Sequence, residues 1–250
     1  MKSDLTTTLI HLSKLYPQDL ANPYLQPQRS QVVTGMLGGR HQRQLSRLHR
    51  IMRVESDEEG FELLHVKFQL AHNPEQAFQV FEVQTLMTRA FYDGRTGRAP
   101  AISSAVIMLT GPEELQAHQG QWRLSPPGTP FCGVRFQVDP IYQKTVRQLQ
   151  ARGSAPWLAF APLARDVTAD SLRDCLALMR QRAPRPRRMA ILLNMMATLT
   201  TLDQRRRGLR GVVMDFIARH RPLSSLTQET PYPVACHPVM NHVEGHEALR

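Results

Sequence analysis

The chain contains few cysteines, few aromatic residues and no long hydrophobic run. Its three cysteines, Cys132, Cys175 and Cys236, lie far apart among 250 residues and form no CxxC pair. That spacing excludes a disulfide framework and is typical of a reducing compartment. The most apolar stretch, MAILLNMMATLTTL, is shorter than a membrane span, and the N-terminus lacks the apolar region of a secretory signal. These absences predict a soluble, cytoplasmic protein with no membrane partner.

Several enzyme motifs are also missing. The sequence contains no G-x-S-x-G nucleophile elbow, no P-loop and no G-x-G-x-x-G fingerprint. The pair Gly38-Gly39 is too short to enclose a phosphate. Nucleophilic hydrolases and enzymes built on these nucleotide-binding loops are therefore disfavoured.

Positive charge, in contrast, is abundant. The chain has 31 Lys and Arg against 21 Asp and Glu, a formal net charge of +10, and most of the basic residues are arginine. Such an excess indicates a polyanionic partner, with DNA the first candidate and non-specific contact to its phosphate backbone the expected mode. The stretch RQRAPRPRR supplies the candidate DNA-binding arginines, which are Arg180, Arg182, Arg185, Arg187 and Arg188. The alternative is that these are solvated helix ends, where basic residues complement the helix dipole.

Apolar periodicity predicts a mixed α/β core. Helical spacing appears over residues 5–16, over PEQAFQVFEVQTLMTRAFYDG and over TADSLRDCLALMRQRA, with a cap at Thr168 or Asp170. The runs HRIMRVES and FELLHVKFQ predict two strands joined by a DEEG turn, in which Gly60 takes a positive φ. PAISSAVIML has the continuous apolar character of a central strand, further strands are expected in QWRLSPPGTPFCGVRFQV, and PWLAFAPL is predicted as another buried strand.

The sequence predicts three segments. Residues 1–183 form the α/β domain, residues 184–221 form a helical C-terminal extension broken near Gly208 and Gly211, and residues 222–250 form a poorly ordered tail. The boundary is placed at the proline- and arginine-rich PRPRR sequence.

The strand FELLHVKFQ carries the strongest functional signal. His65, Lys67 and Gln69 alternate with apolar residues, so their side chains point to one face of the strand. Two interpretations stay open at this stage. The three groups form the floor of a functional site, or they form the solvated side of an amphipathic strand.

The order of these segments resembles a known family. The hairpin entering LLHVKFQ, the helix PEQAFQVFEVQ, the strand PAISSAVIML, the run GVRFQV and the stretch WLAFAPLARDVTADSLRDCLALM are together similar to the recombination-promoting nuclease and transposase family. The resemblance covers roughly residues 10–220 in order and approximate spacing. It implies a PD-(D/E)XK restriction-endonuclease-like core, in which a mixed β-sheet is flanked by helices.

In that family an Asp on one strand of a hairpin and a Glu-x-Gln on the next hold Mg²⁺ for phosphodiester cleavage. The resemblance places the Asp position at or near His49 and the Glu position at Lys67, while Gln69 matches. An Arg and a Tyr of the family's next helix correspond to Gln79 and Val83. A lysine ammonium at a metal-ligand position opposes Mg²⁺ binding, although His49 could ligate a softer metal.

The resemblance therefore implies a DNA-binding protein of this type with an inactive or weakened metal-dependent endonuclease site. The candidate site residues are His49, Lys67, Gln69 and Glu82, and Lys67 could contact a phosphate as a point charge. No cofactor is expected, apart from Mg²⁺ if the site is active.

Two other functions remain open. One is an active endonuclease in which Glu82 or an acid of the hairpin, Glu55, Asp57, Glu58, Glu59 or Glu62, supplies a displaced carboxylate. The other is a protein-interaction module whose C-terminal helices form a homo-oligomer.

Overall fold

The computed structural model describes residues 5–26, 28–37, 48–57, 60–112, 118–183, 185–203, 205 and 207–220. The predicted tail, residues 222–250, lies outside these ranges, and so does the pair at 38 and 39.

The centre of the described fold is a six-stranded mixed sheet. Its strands are β1 (Val32–Met36), β2 (His49–Glu55), β3 (Phe61–Gln69), β4 (Ile102–Met108), β5 (Gln119–Arg123) and β6 (Gly133–Pro140). They lie in the order β1-β2-β3-β4-β6-β5. The β3–β4 and β4–β6 pairs are parallel, and the other three pairs are antiparallel.

Helices flank the sheet on both faces. They are α1 (Leu5–Leu15), α2 (Pro17–Ala21), α3 (Gln76–Phe91), α4 (Val146–Ala151), α5 (Ala155–Leu158), α6 (Ala169–Arg182), α7 (Pro186–Leu199) and α8 (Leu209–His220). Helix α3 is the crossover between the parallel strands β3 and β4, the connection that such a pair requires. No helix in the described ranges is long and apolar enough to cross a membrane.

Local sequence accounts for several of these boundaries. Gly60 has a φ of 102° in the β2–β3 turn, as predicted, a conformation that glycine adopts without a Cβ penalty. Helix α6 begins at a capping box in which the Thr168 side chain accepts a hydrogen bond from the Ser171 N–H. The apolar run of β4 lies at the centre of the sheet, where both faces are covered.

Alternation along β3 gives each face of the sheet a core of its own. Leu64, Val66 and Phe68 point to one face, within a large apolar cluster that includes buried residues of α1, α6, α7 and α8. Helix α3 covers the other face, and its Val80 and Val83 belong to two smaller clusters with residues of β2, β3, β4 and β6. The polar side of β3 therefore faces α3.

The prediction of a strand at PWLAFAPL was wrong. Residues 155–158 form α5, and a short 3-10 helix follows at Ala161–Leu163. Pro156 and Pro162 lie in the first turns of these helices, where a missing N–H costs nothing, whereas a proline would interrupt a central strand. The run is fully buried, and the Trp157 indole N–H donates to the Asp19 carbonyl oxygen across 2.8 Å.

The two C-terminal helices pack into the main core. Buried residues of α7 and α8 belong to the same cluster as α1 and β3, and α7 packs directly against α1. The chain turns at Gly208, whose φ is 68°, whereas Gly211 lies inside α8. The expected boundary at residue 183 thus falls between two helices, α6 and α7, that share one apolar core.

Candidate functional site

A cleft of about 510 Å³ opens between the C-terminal end of β3, the loop that follows it and α3. Four side chains selected from the sequence, His49, Lys67, Gln69 and Glu82, line this cleft together. The first three are buried, whereas Glu82 is exposed on α3. The hairpin and the crossover helix thus gather residues that lie more than 30 positions apart.

His49 and Lys67 are direct partners in the antiparallel β2–β3 ladder. Side chains of such a pair lie on the same face of the sheet and are close neighbours. These are the two positions that the sequence resemblance assigns to metal-binding carboxylates. The structure places them side by side, with an imidazole and an ammonium group where two carboxylates are expected.

Lys67 is an almost enclosed cation. Its side chain is 5% exposed, and Nζ donates a hydrogen bond to Oε1 of Gln79 on α3. Burial lowers its pKa from 10.5 to about 8. In the described part of the chain no carboxylate forms an ion pair with it. Among the described residues, the hydrogen-bond partner of this positive charge is thus a neutral amide.

A chain of hydrogen bonds runs inward from His49. Its Nδ1 lies 2.9 Å from Nε2 of His65, and Nδ1 of His65 lies 3.2 Å from Oγ of Ser104. Gln84 on α3 donates from Nε2 to the same Ser104 oxygen across 2.8 Å. Burial lowers the pKa of His49 to about 4 and that of His65 well below its usual value, so both rings are neutral at pH 7.

The direction of the two hydrogen bonds at these rings depends on which nitrogen of each imidazole carries the hydrogen. In either direction Nδ1 of His49 is engaged with His65, so a softer metal could reach His49 only at Nε2.

Gln69 lies beyond Lys67 on the same face of β3. Its Nε2 donates to the Ala71 carbonyl oxygen across 2.8 Å, which fixes the orientation of the amide. Its Oε1 is buried without a hydrogen-bond partner among the described residues. An unpaired buried acceptor is costly and is frequently found at functional sites.

Two acids of the β2–β3 hairpin, Glu55 and Glu62, form ion pairs away from Lys67. Glu55 forms an ion pair with Arg53, and Glu62 forms one with Arg29. Glu55 is six residues along β2 from His49, which corresponds to about 20 Å of extended strand. These two carboxylates do not converge on the cleft. Asp57 is exposed in the same turn, and residues 58 and 59 lie outside the described ranges.

Among the acids of the described ranges, Glu82 lines the cleft. Within the described ranges no three His, Cys, Asp or Glu side chains are grouped to hold a metal ion. One exposed carboxylate beside an ammonium group is a poor arrangement for Mg²⁺, which favours several oxygen ligands and net negative charge.

The candidate DNA-binding arginines lie elsewhere. Arg180 and Arg182 end α6, and Arg187 and Arg188 lie in the first turn of α7, after Arg185. Four of the five are exposed, while Arg188 is half-buried with its guanidinium 5.4 Å from the ring centre of Tyr16. Because α6 and α7 pack on the face of the sheet opposite α3, these arginines and Lys67 do not share one face.

Sequence reasoning missed two partners in the site, Ser104 and Gln84. Ser103-Ser104 interrupts the apolar run of β4, and a polar residue in a central strand is a signal that a buried hydrogen bond is present. Gln84 lies two residues after Glu82, a spacing that does not place two side chains on one face of a helix. In the structure Glu82 lines the cleft and Gln84 reaches Ser104, so the two side chains indeed have different surroundings.

No family model, curated protein or solved structure matches the chain. In its described residues the chain has a mixed α/β fold, with a six-stranded sheet flanked by helices.

Proposed function

We propose that the chain is a DNA-binding protein with a PD-(D/E)XK-like core whose metal site has been replaced by a cationic one. The observation that carries the proposal is the direct pairing of His49 with Lys67 in the cleft. These are the positions that the sequence resemblance assigns to the Asp and Glu of the recombination-promoting nucleases.

The order of the elements supports this fold assignment. The antiparallel β2–β3 hairpin is followed by the crossover helix α3 and the parallel strand β4, and the cleft opens where β3 meets α3. The resemblance implies a hairpin, a helix and a strand in this order.

Electrostatics supports binding without metal-dependent cleavage. Mg²⁺ is held by negatively charged oxygen ligands, and the ammonium of Lys67 repels it. The same ammonium attracts a phosphate oxygen directly, as a point charge. The formal charge of +10 over the whole chain adds a long-range attraction for a polyanion.

The test of DNA binding is the salt dependence of affinity. Fluorescence anisotropy with a labelled duplex is expected to give a dissociation constant that rises steeply between about 50 and 200 mM salt. Lys67→Met is expected to reduce the slope of log K against log salt by about 1. Lys14→Met, at an exposed position on α1, is the matched control and should leave the slope unchanged.

Two results would contradict the proposal. Affinity without salt dependence, combined with a solution mass above one chain, would favour the protein-interaction module. Robust cleavage of plasmid DNA in Mg²⁺ or Mn²⁺, abolished by Glu82→Gln, would favour an active endonuclease. This second candidate is kept because Glu82 lines the cleft beside Lys67.

A further inference from the structure

The cleft at the end of β3 has the dimensions and walls of a small-molecule site. Its volume of about 510 Å³ lies within the range of 300–1,000 Å³ that is usual for ligand pockets. Leu70, Val83 and Leu86 form an apolar wall. Leu70 and Leu86 are 42% and 37% exposed, which is high for large apolar side chains. A flat apolar group placed against them would remove this surface from water.

Beside two acceptors, the Glu82 carboxylate and Oε1 of Gln69, the cleft presents three hydrogen-bond donors. Lys67 contributes the ammonium, and Gln79 uses its Oε1 to hold that ammonium, so its NH₂ group remains as a donor. Asn73 uses its Oδ1 to accept from the Glu75 N–H, so its own NH₂ group is also a donor. Three donors, one of them charged, therefore lie beside an apolar wall. This combination suits an oxyanion attached to an apolar body.

Charge compensation points to the same ligand. A buried ammonium is costly unless an anion accompanies it, and among the described residues Lys67 has only the Gln79 amide as a hydrogen-bond partner. Glu82, a carboxylate that lines the cleft, is exposed on α3 and forms no ion pair with Lys67. A phosphate group would supply the missing negative charge and several acceptor oxygens.

We propose that this cleft binds one nucleoside monophosphate unit, with the phosphate on Lys67, Gln79 and Asn73 and the nucleoside against Leu70 and Leu86. The proposal rests on the proposed function in that the same cleft receives the phosphate of DNA. This unit could be a free nucleotide or the phosphorylated end of a DNA strand. Both carry a terminal phosphate attached to a nucleoside.

The test uses the full chain and three probes, namely deoxyadenosine monophosphate, deoxyadenosine and inorganic phosphate. Isothermal titration is expected to show that the nucleotide binds at least tenfold more tightly than either of its parts. Lys67→Met should weaken nucleotide binding about 10- to 100-fold, the range for loss of a charge-assisted hydrogen bond. Lys14→Met should leave it unchanged, and Leu86→Ser should weaken binding of the nucleotide but not of phosphate.

The dependence on pH provides a readout that needs no variant. Because the pKa of Lys67 is about 8, nucleotide affinity is expected to be about tenfold weaker at pH 9 than at pH 7, as the ammonium loses its proton. An arginine site would show no such loss. Affinity that is unchanged between these pH values, or unchanged by Lys67→Met in a folded protein, would overturn the proposal.

Competition identifies the source. A linear oligonucleotide with a 5′-phosphate that displaces the nucleotide, together with a closed circular single strand that does not, would assign the cleft to strand ends. Failure of both to compete would assign it to free nucleotides. If salt-dependent DNA binding is found but the nucleotide does not bind at all, this inference fails while the proposed function stands.

Discussion

His49 and His65 lie edge to edge beneath α3 with nearly parallel ring planes, their ring centres 5.1 Å apart and their interplanar angle 8°. One ring nitrogen of each lies 2.9 Å from the other, so a hydrogen bond also joins them. His65 is fully buried, and Lys67 adds positive charge nearby. Two neutral imidazoles fit this arrangement. Protonation of either ring would add a second buried positive charge near that of Lys67 and is strongly disfavoured.

Stability is therefore expected to fall in mild acid. The folded-state pKa of His49 is about 4, below its ordinary value of 6.5, because burial penalises the charged ring. Below pH 6.5 the unfolded chain binds a proton that the native state does not, so stability is lost progressively between pH 6.5 and 4. His49 alone should lower the free energy of unfolding by about 2 kcal/mol at pH 5 relative to pH 7.5.

Urea unfolding at these two pH values measures the effect. His49→Gln is expected to reduce the difference between the two free energies, and His11→Gln, at an exposed position of α1, is the control that should not. His65 adds to the loss in the same direction, since its pKa is lowered further by burial. A free energy of unfolding that is equal at pH 5 and pH 7.5 would show that these rings are not buried and neutral.

Ser104→Ala should destabilise the protein by about 1–3 kcal/mol, because it removes the partner of a buried imidazole and of a half-buried amide at once. Nδ1 of His65 and Nε2 of Gln84 both depend on the Ser104 hydroxyl. Ser103→Ala is a closely matched control, since the neighbouring side chain is exposed, and its effect should stay within about 0.5 kcal/mol. Equal effects in urea unfolding would contradict the hydrogen-bonded chain described here.

Much of the fold was predictable because local patterns decide it. The β2–β3 hairpin, α3, the central position of β4 and the Thr168 cap follow from alternation, helical spacing and a capping residue. The helical run at 155–163 was not predictable in this way. A short, continuously apolar segment has no period, so a buried helix and a buried strand look alike.

The site was only partly predictable for a different reason. The alternation of His65, Lys67 and Gln69 placed them on one face, but two interpretations, a functional floor and a solvated side, fitted equally well. The structure shows all three to be buried because α3 lies over them, with Gln79 reaching Lys67. A polar strand face becomes buried only when a helix packs on it. That contact cannot be predicted from the sequence of the strand alone.

Asp139 is expected to be a strong determinant of stability. The carboxylate, 6% exposed, accepts hydrogen bonds from the Tyr24 hydroxyl at 2.6 Å and from Arg152 at 2.7 Å, and Lys144 lies 3.5 Å away. Asp139→Asn removes the negative charge that these groups surround, and it should lower the free energy of unfolding by about 3 kcal/mol.

Asp170→Asn provides the comparison for this position. Its carboxylate also contacts an arginine, Arg173, but is 89% exposed, so its loss should change the free energy of unfolding by less than about 0.5 kcal/mol. Urea midpoints of the two variants, measured at pH 7, distinguish the buried pair from the exposed one. A small effect of Asp139→Asn would mean that the three partners do not depend on its charge.

The pairing of His49 with Lys67 allows the metal-site hypothesis to be tested by reversal. A double variant, His49→Asp with Lys67→Glu, places two carboxylates side by side on β2 and β3, with Gln69 two residues further along. Two anionic oxygen ligands in one cleft favour a divalent cation, so Mn²⁺ or Mg²⁺ should raise the melting temperature of the double variant.

The single variants provide the internal control. Lys67→Glu alone should show a smaller rise with Mn²⁺, because one of the two ligand positions is still an imidazole, and the unchanged protein should show none. If the double variant folds but its melting temperature is insensitive to divalent cations, these two positions do not have the geometry of a metal site. The cationic cleft would then be an original feature of this fold and not a replaced nuclease centre.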